Sequence, residues 1–306
     1  RTCYSVAPYG ETEYKSSLGP NKYLMNEKYI FVYQDVRGRY MSEGTFTNMT
    51  PQVERKTKKD VDESTDTYDT IDWLLQNITN NNGKVGQYGT SYPGFYTAAG
   101  ILADHPALVA SSPQAPISDF WNDDFLHNGK FMLGYFRTFP VFGVQKTKAE
   151  KEGWYMDSFI KPTSEDGLKF YRELGTLKDG YEKYYKDNFF MTEIMNHPNY
   201  DEYWQKRSLL PHLKNVNHAV MTVGGWYDAE DLFGPLNIYK TIEKTSPKAK
   251  NTIVMGPFSH GAWSRETGKH FHSEIYFGDS IATYYQKNLE TKFFHHYLKE
   301  NSKTDA

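Results

Sequence analysis

The chain has 306 residues, with 35 Lys and Arg against 38 Asp and Glu, for a formal charge of −3. No basic run interleaves with aromatics in the manner of a nucleic-acid binder, and no stretch of about 18 apolar residues offers a membrane-crossing helix. Hydrophobic residues make up only 38%, yet 25 Tyr and 19 Phe supply enough apolar area for a substantial core, sized for one large α/β domain or two smaller ones.

The opening "RTCYSVAPYG" has neither an initiator Met nor a signal peptide, so a processed chain or a fragment is expected. Its single cysteine, Cys3, cannot form an internal disulfide and does not fix the redox compartment. "KYIFVYQD" (28–35) has the pattern of a buried strand and runs into the Gly-rich loop "VRGRYMSEG". The basic cluster "ERKTKKD" (54–60) reads as a solvated loop, and the N-x-T sequons at Asn48 and Asn77 as chance. In "DTYDTIDWLLQNI" (66–78), Tyr68, Ile71, Leu75 and Ile78 recur at helical steps.

"VGQYGTSYPGFYTAAG" (85–100) follows "NNNG". Val85 to Tyr88 reads as a short strand, Gly89-Thr90-Ser91 as a sharp turn, and Pro93 onward as a helix with Pro in its first turn. "ALVASSPQAP" (107–116) reads as the next strand. Residues 28–116 therefore alternate strand and helix, which argues for βαβ units and a mostly parallel sheet. From about 125 to 207 clear strands vanish and aromatic and charged residues dominate, the pattern of a helical insertion. The α/β pattern then returns: a strand at 218–228 ending in Asp228, a helix "LNIYKTIEK", a strand at 251–260 ending near His260, and a last helix over 280–299. That helix carries Ile281, Tyr285, Leu289, Phe293 and Tyr297 on one stripe. The predicted organisation is an α/β core over 1–124, a helical insertion over 125–207, and the second part of the core over 208–306.

Ser91, Asp228 and His260 each follow the C-terminal end of a predicted strand, the edge where open parallel sheets form sites. Their order, Ser then Asp then His, is that of α/β-hydrolases, and strand–turn–Ser–helix is the nucleophile elbow of that fold. A Ser hydroxyl is a weak nucleophile, so an imidazole must take its proton and a carboxylate must hold that imidazole. Each residue alone is ordinary: Ser91 could be a turn residue and His260 structural. The second glycine, Gly94, also falls one position later than in the simple G-x-S-x-G pattern. No H-E-x-x-H, dinucleotide fingerprint or P-loop is present, and His270-x-His272 and His295-His296 lack acidic or Cys partners nearby in sequence, so neither a metal nor another cofactor is expected.

With these pieces in place, the chain resembles the α-amino acid ester hydrolases, within the wider group that includes cocaine esterase and the Xaa-Pro dipeptidyl peptidases. The matching stretches are "RTCY", "QDVRGRYMSEG", "DTIDWL", "GKVGQYGTSYPGF", "DHPALVASSPQAP", "GGWYDAED" and "MGPFSH". The group's form of the elbow is G-x-S-Y-x-G, here Gly89, Ser91, Tyr92 and Gly94. The resemblance implies an α/β-hydrolase fold with helices on both faces of the sheet and an inserted helical cap. It implies Ser91 as nucleophile, Asp228 as orienting acid and His260 as base, with the oxyanion held by the Tyr4 hydroxyl and the backbone N–H of Tyr92. On residues alone Tyr4 is one packed aromatic among many.

In the resemblance, Glu230 and Asp231 of "DAED" join a third carboxylate, Asp124 or its neighbour Asp123, to grip a substrate α-ammonium. Three carboxylates around one pocket repel one another unless a cation answers them. A solvated acidic loop or a helix N-terminus accounts for the same spacing. The implied activity is hydrolysis of α-amino acid esters and amides through an acyl-enzyme, with transfer to water or to an amine such as a β-lactam nucleus or an amino acid. A general carboxylesterase or acylase without α-amino specificity, and an inactive hydrolase-like fragment, are the alternatives. Partners are then small molecules, not nucleic acid or membrane. Oligomeric state stays open, a homo-oligomer included, and the group's usual export points to a periplasmic or secreted location. Cys3 stands where the group has Pro, beside the oxyanion Tyr. The resemblance also implies strands before "RTCY" and a jelly-roll domain after the last helix, both outside this sequence.

Overall fold

The computed structural model describes residues 1–54, 56–57, 59–151, 155–164, 166–265, 270–271 and 275–299. In chain order, β1 (Val85–Thr90) and β2 (Leu108–Gln114) come first. A two-residue hairpin follows, β3 (Leu126–His127) with β4 (Lys130–Phe131). Then come β5 (Ala219–Gly225) and β6 (Asn251–Gly256). β1, β2, β5 and β6 form one sheet in that spatial order, every neighbour parallel, so their C-terminal ends share one edge.

Alternation along the strands divides the core into two layers. In β5, Ala219, Met221 and Val223 face a cluster with Trp263, Tyr285, Phe293 and Phe294, whereas Val220 faces one with Phe95, Ala98, Ile238 and Ile242. The first layer is roofed by the helical run Ile281–Leu298 and the second by the helices Tyr92–Gly100 and Phe233–Thr245. Helices thus cover both sheet faces, as in an α/β-hydrolase. The predicted stripe of the last helix is present: Tyr285 and Phe293 are buried, and Ile281, Leu289 and Tyr297 pack against them. Residues 285–290 of that run form a π-helical turn.

Between β2 and β5, apart from the β3–β4 hairpin, the described residues form a series of short helices whose apolar side chains join the core. Phe125, Phe136, Phe139, Phe142, Tyr185 and Phe190 are all buried and share one apolar cluster with Tyr92, Phe95 and Phe120 of the α/β part. Ring pairs such as Tyr92–Phe142, stacked at 5.7 Å, cross the junction. Among the described residues no helix is long and apolar enough to cross a membrane.

The structure corrects three sequence expectations. Among the described residues, 28–35 form no strand; the bridge of Asp35 to Thr2 is their one ladder contact, and Ile30, Val32 and Tyr33 are exposed. Propensity suits that segment to a sheet, but a strand also needs a hydrogen-bonded neighbour. The helix predicted over 66–78 begins earlier, at Glu63, behind an Asp62–Thr65 capping box, and it buries Glu63, Ser64, Thr67 and Ile71 while Tyr68 stays exposed. The strands expected to reach Asp228 and His260 stop at Gly225 and Gly256, which leaves both residues on loops.

Candidate active site

Ser91 is the corner between β1 and the helix Tyr92–Gly100, with φ 70° and ψ −132°. A non-glycine residue at positive φ is strained, and such strain concentrates where a side chain is held out for use. The corner closes only because its flanking glycines lack Cβ atoms. A Cβ on Gly89 would lie 2.4 Å from the Pro93 carbonyl, and one on Gly94 2.4 Å from the Gln114 carbonyl. The second contact explains the late glycine: Gly94 is where the helix passes over the end of β2.

The Asp228 and His260 loops are bound to each other. Trp226 N–H donates to the Gly256 carbonyl at 2.8 Å and Tyr227 N–H to the Phe258 carbonyl at 3.1 Å. The side chains then meet, His260 Nδ1 lying 2.9 Å from Asp228 Oδ2. Asp228 Oδ1 accepts the backbone N–H groups of Glu230 and Asp231, each at 2.9 Å. Burial alone would raise the Asp228 carboxyl, but these hydrogen bonds and the imidazole bring it below the usual carboxylate range. Burial would likewise lower His260, and the bond to Asp228 with the nearby Glu230 and Asp124 charges overcomes it, so His260 is raised.

The His260 loop lies beside the Ser91 corner: a Cβ on Gly261 would stand 3.3 Å from Thr90 Cγ2. No hydrogen bond joins Ser91 to His260 among the described residues. His260 Nε2, the nitrogen that would take a serine proton, stands 3.5 Å from Glu230 Oε2. Such bonds are often long before substrate arrives.

Tyr4 packs edge-on against Tyr92 and Phe142 and stacks on Tyr155 at 4.7 Å. Burial, reinforced by neighbouring acidic groups, raises its phenol well above the ordinary value, so it stays a donor. Tyr92 begins its helix, so its backbone N–H has no intrahelical acceptor. Its side chain turns away and is pinned: the hydroxyl donates to Asn48 Oδ1 at 2.9 Å and accepts Met49 N–H at 3.1 Å. Asn48, read in sequence as a chance sequon, is therefore a buried anchor behind the corner.

Three carboxylates converge next to His260. Tyr135 Oη lies 2.6 Å from Asp124 Oδ1 and 2.9 Å from Glu230 Oε2. One phenolic proton cannot serve both at once. Asp231 is fully buried, 4.0 Å from His260 Nδ1, and among the described residues neither of its oxygens has a hydrogen-bond partner, nor has Asp124 Oδ2. Burial, with mutual repulsion behind it, pushes Asp231 and Asp124 well above the usual carboxylate range. Asp123 stands apart. It accepts Ser118 N–H at 3.1 Å and Gly234 N–H at 3.0 Å, so it ties the loop to the start of the helix Phe233–Thr245. Of the two neighbours, Asp124 is the one that faces Glu230. Sequence reasoning missed Tyr135, which no spacing singles out.

Among the described residues no group of three or more His, Cys, Asp or Glu is arranged to hold a metal ion. His295 Nδ1 instead pairs with Glu27 at 2.9 Å; His272 lies outside the described residues, as does the side chain of His270.

This site geometry can be set against known proteins. The model of the X-Pro dipeptidyl-peptidase (S15) family matches residues 2–262. The chain belongs to that family. It is 23% identical to cocaine esterase of Rhodococcus sp. (strain MB1 Bresler), over 92% of this chain and 46% of the esterase. Among solved structures it superposes on an α-amino acid ester hydrolase with a TM-score of 0.81 at 30% identity, over 92% of this chain and 45% of that one. An aminopeptidase from a marine sediment Thaumarchaeota archaeon gives the same TM-score, 0.81, at 31% identity, over 94% and 46%. The resemblance read from the sequence motifs and the α/β-hydrolase fold both stand. The chain spans about half the length of these relatives.

Proposed function

We propose that this S15-family chain is a serine hydrolase of α-amino acid esters and amides, acting through an acyl-enzyme. The observation that carries the reading is the three buried carboxylate oxygens, Asp124 Oδ2 and both of Asp231, that find no hydrogen-bond partner among the described residues, set beside the His260–Asp228 bond. Burying a carboxylate without donors is costly, and a substrate ammonium would supply them. The names of two solved relatives, an α-amino acid ester hydrolase and an aminopeptidase, fit a substrate with a free amino group.

In this reading His260 Nε2 takes the Ser91 proton as Oγ attacks the carbonyl carbon, and Asp228 holds the imidazole by Nδ1. The oxyanion forms against the Tyr4 hydroxyl and the Tyr92 N–H. His260 then returns the proton to the departing alcohol or amine. Water releases the acid; an amine, arriving unprotonated, gives a new amide. The α-ammonium lies against Asp124, Glu230 and Asp231. On the family resemblance we also propose a periplasmic or secreted setting.

A second reading, a general esterase, draws on the likeness to cocaine esterase. Phenylglycine methyl ester and phenylacetic acid methyl ester separate the two, since they differ by one amino group. Loss of a carboxylate-paired ammonium should cost about a hundredfold in kcat/KM, and Ser91→Ala should abolish turnover of both. Equal rates would leave a general esterase. Turnover surviving Ser91→Ala would remove the serine mechanism.

A further inference from the structure

Gln114, the last residue of β2, touches the Ser91 corner twice. Its backbone carbonyl accepts Ser91 N–H at 3.0 Å, and its side-chain Oε1 lies 3.1 Å from Thr90 Oγ1. The same Oε1 accepts the indole N–H of Trp263 at 2.8 Å. Trp263 belongs to the short helix Ala262–Arg265, which follows directly on His260 and Gly261. One buried amide oxygen therefore joins the turn that carries the candidate nucleophile to the loop that carries the candidate base.

The amide is held from its other end. Gln114 Nε2 donates to Glu290 Oε1 at 2.6 Å and to Tyr285 Oη at 3.1 Å. Glu290 is buried, and its second oxygen accepts Asn21 Nδ2 at 2.6 Å. Trp263 can only donate and an ionised Glu290 can only accept, so the amide has one orientation. Glu290 ends the π-turn at 285–290, a geometry that recurs at functional sites. A second residue of that turn, Gln286, donates to the Trp263 carbonyl at 2.9 Å. The π-turn thus holds the helix behind His260 twice, directly at the Trp263 carbonyl and through Gln114 at the Trp263 indole. A helix needs no buried acid to pack on a sheet, and an apolar residue would fill the space at less desolvation cost.

We infer that Gln114 and Glu290 are positioning residues that hold the Ser91 turn and the His260 loop in register. The inference rests on the serine-hydrolase reading above.

The test is a two-residue exchange in the full-length protein. Gln114→Glu opposes two carboxylates, and Glu290→Gln lets the amide at 114 turn. Each should lower kcat for phenylglycine methyl ester by about ten- to a hundredfold, the scale of a misplaced catalytic group, with KM and the far-UV spectrum unchanged. The double variant Gln114→Glu/Glu290→Gln restores one donor facing one acceptor. The new amide at 290 gives its N–H to the new carboxylate, and its oxygen still accepts from Asn21. It should return kcat to within about threefold of wild type, a coupling only directly interacting residues show. The rate at which an organophosphonate labels Ser91 should follow kcat in all four proteins. Single variants at the wild-type kcat, or losses that multiply in the double variant, would overturn the positioning role alone. If a single variant fails to fold, the folded double variant compared with wild type decides by the same criterion. A folded wild type that is neither labelled nor active would overturn the serine-hydrolase reading and the positioning role with it.

Discussion

Asp228 and Asp231 lie three residues apart, both buried, on one loop, and their electrostatics are opposite. Asp228 fills its oxygens with two backbone N–H groups and the His260 ring, and its carboxyl is held low. Asp231 has no donor on either oxygen, and its carboxyl is pushed high. Burial is common to both, so the completeness of hydrogen bonding decides which carboxylate keeps its charge. The first half of the site is finished by the protein itself. The second half keeps oxygens that no donor among the described residues meets, and the proposed function sets the substrate ammonium there. Asp124 belongs to the second half, with one unpartnered oxygen and a Tyr135 proton it must share with Glu230.

The sharpest way to break this comparison is to remove one charge from each half. Asp228→Asn should lower kcat by about 10,000-fold, because an amide no longer holds the imidazole in the required tautomer. It should also lower Tm, since an amide meets the Glu230 and Asp231 N–H groups less well than a carboxylate. Steady-state kinetics and calorimetry read both. A loss of less than tenfold would remove Asp228 from the mechanism.

Asp231→Asn should do the reverse to stability and less to rate. The raised carboxyl must hold a proton to stay buried at neutral pH and an amide carries no such cost, so Tm should rise, with about 1 to 3 kcal/mol more unfolding free energy. The preference for phenylglycine methyl ester over its des-amino analogue should fall on the order of a hundredfold, while turnover of the des-amino ester stays near wild type. A lower Tm with an intact preference would mean that Asp231 is already satisfied.

The finished half was the more legible in sequence. Ser91, Asp228 and His260 stand out because chain order and strand ends are sequence properties, even though the strands stop short of the last two. The four sheet strands were legible as apolar runs bounded by Gly, Pro and Asn. Residues 28–35 were misread because alternation reports a strand's faces and not its partner. Tyr4 and the carboxylate group came only through the resemblance. Tyr135 is one tyrosine in an aromatic-rich segment, and nothing in spacing ties it to Glu230, 95 positions away. The Gln114–Glu290 bond spans 176 positions and was equally hidden.

Tyr135→Phe probes the join between the two carboxylates on the open side. Without the phenol, Asp124 and Glu230 lose their common donor and repel more strongly. KM for the amino ester should rise by roughly tenfold, the scale of one charge-assisted hydrogen bond, with kcat little changed. The des-amino ester should show no such rise. An equal change for both esters would make Tyr135 a packing residue rather than part of the ammonium site.

The smallest expected effect is on stability against pH in the absence of substrate. The raised carboxyls of Asp231 and Asp124 keep protons in the folded state at pH values where the unfolded chain, near about 4 for a free carboxyl, has released them. Over that window the folded state binds more protons, so unfolding free energy falls as pH rises. His260, also raised, acts in the same direction: its stabilisation is full below its unfolded value, near about 6.5, and is lost as pH climbs through its folded value. Asp228, held low, opposes them only in acid, where its contribution is lost as pH falls through its folded value. Between about pH 5 and about pH 8, Tm should therefore decline, and Asp231→Asn should flatten the decline by roughly the 1.4 kcal/mol that one pKa unit represents, or more. Saturating phenylglycinol, an ammonium-bearing ligand with no acyl group to hydrolyse, should flatten it in wild type as well, because the cation replaces the retained proton. A variant curve parallel to wild type would show that Asp231 keeps no proton in the empty site, and the contrast with Asp228 would then rest on geometry without charge.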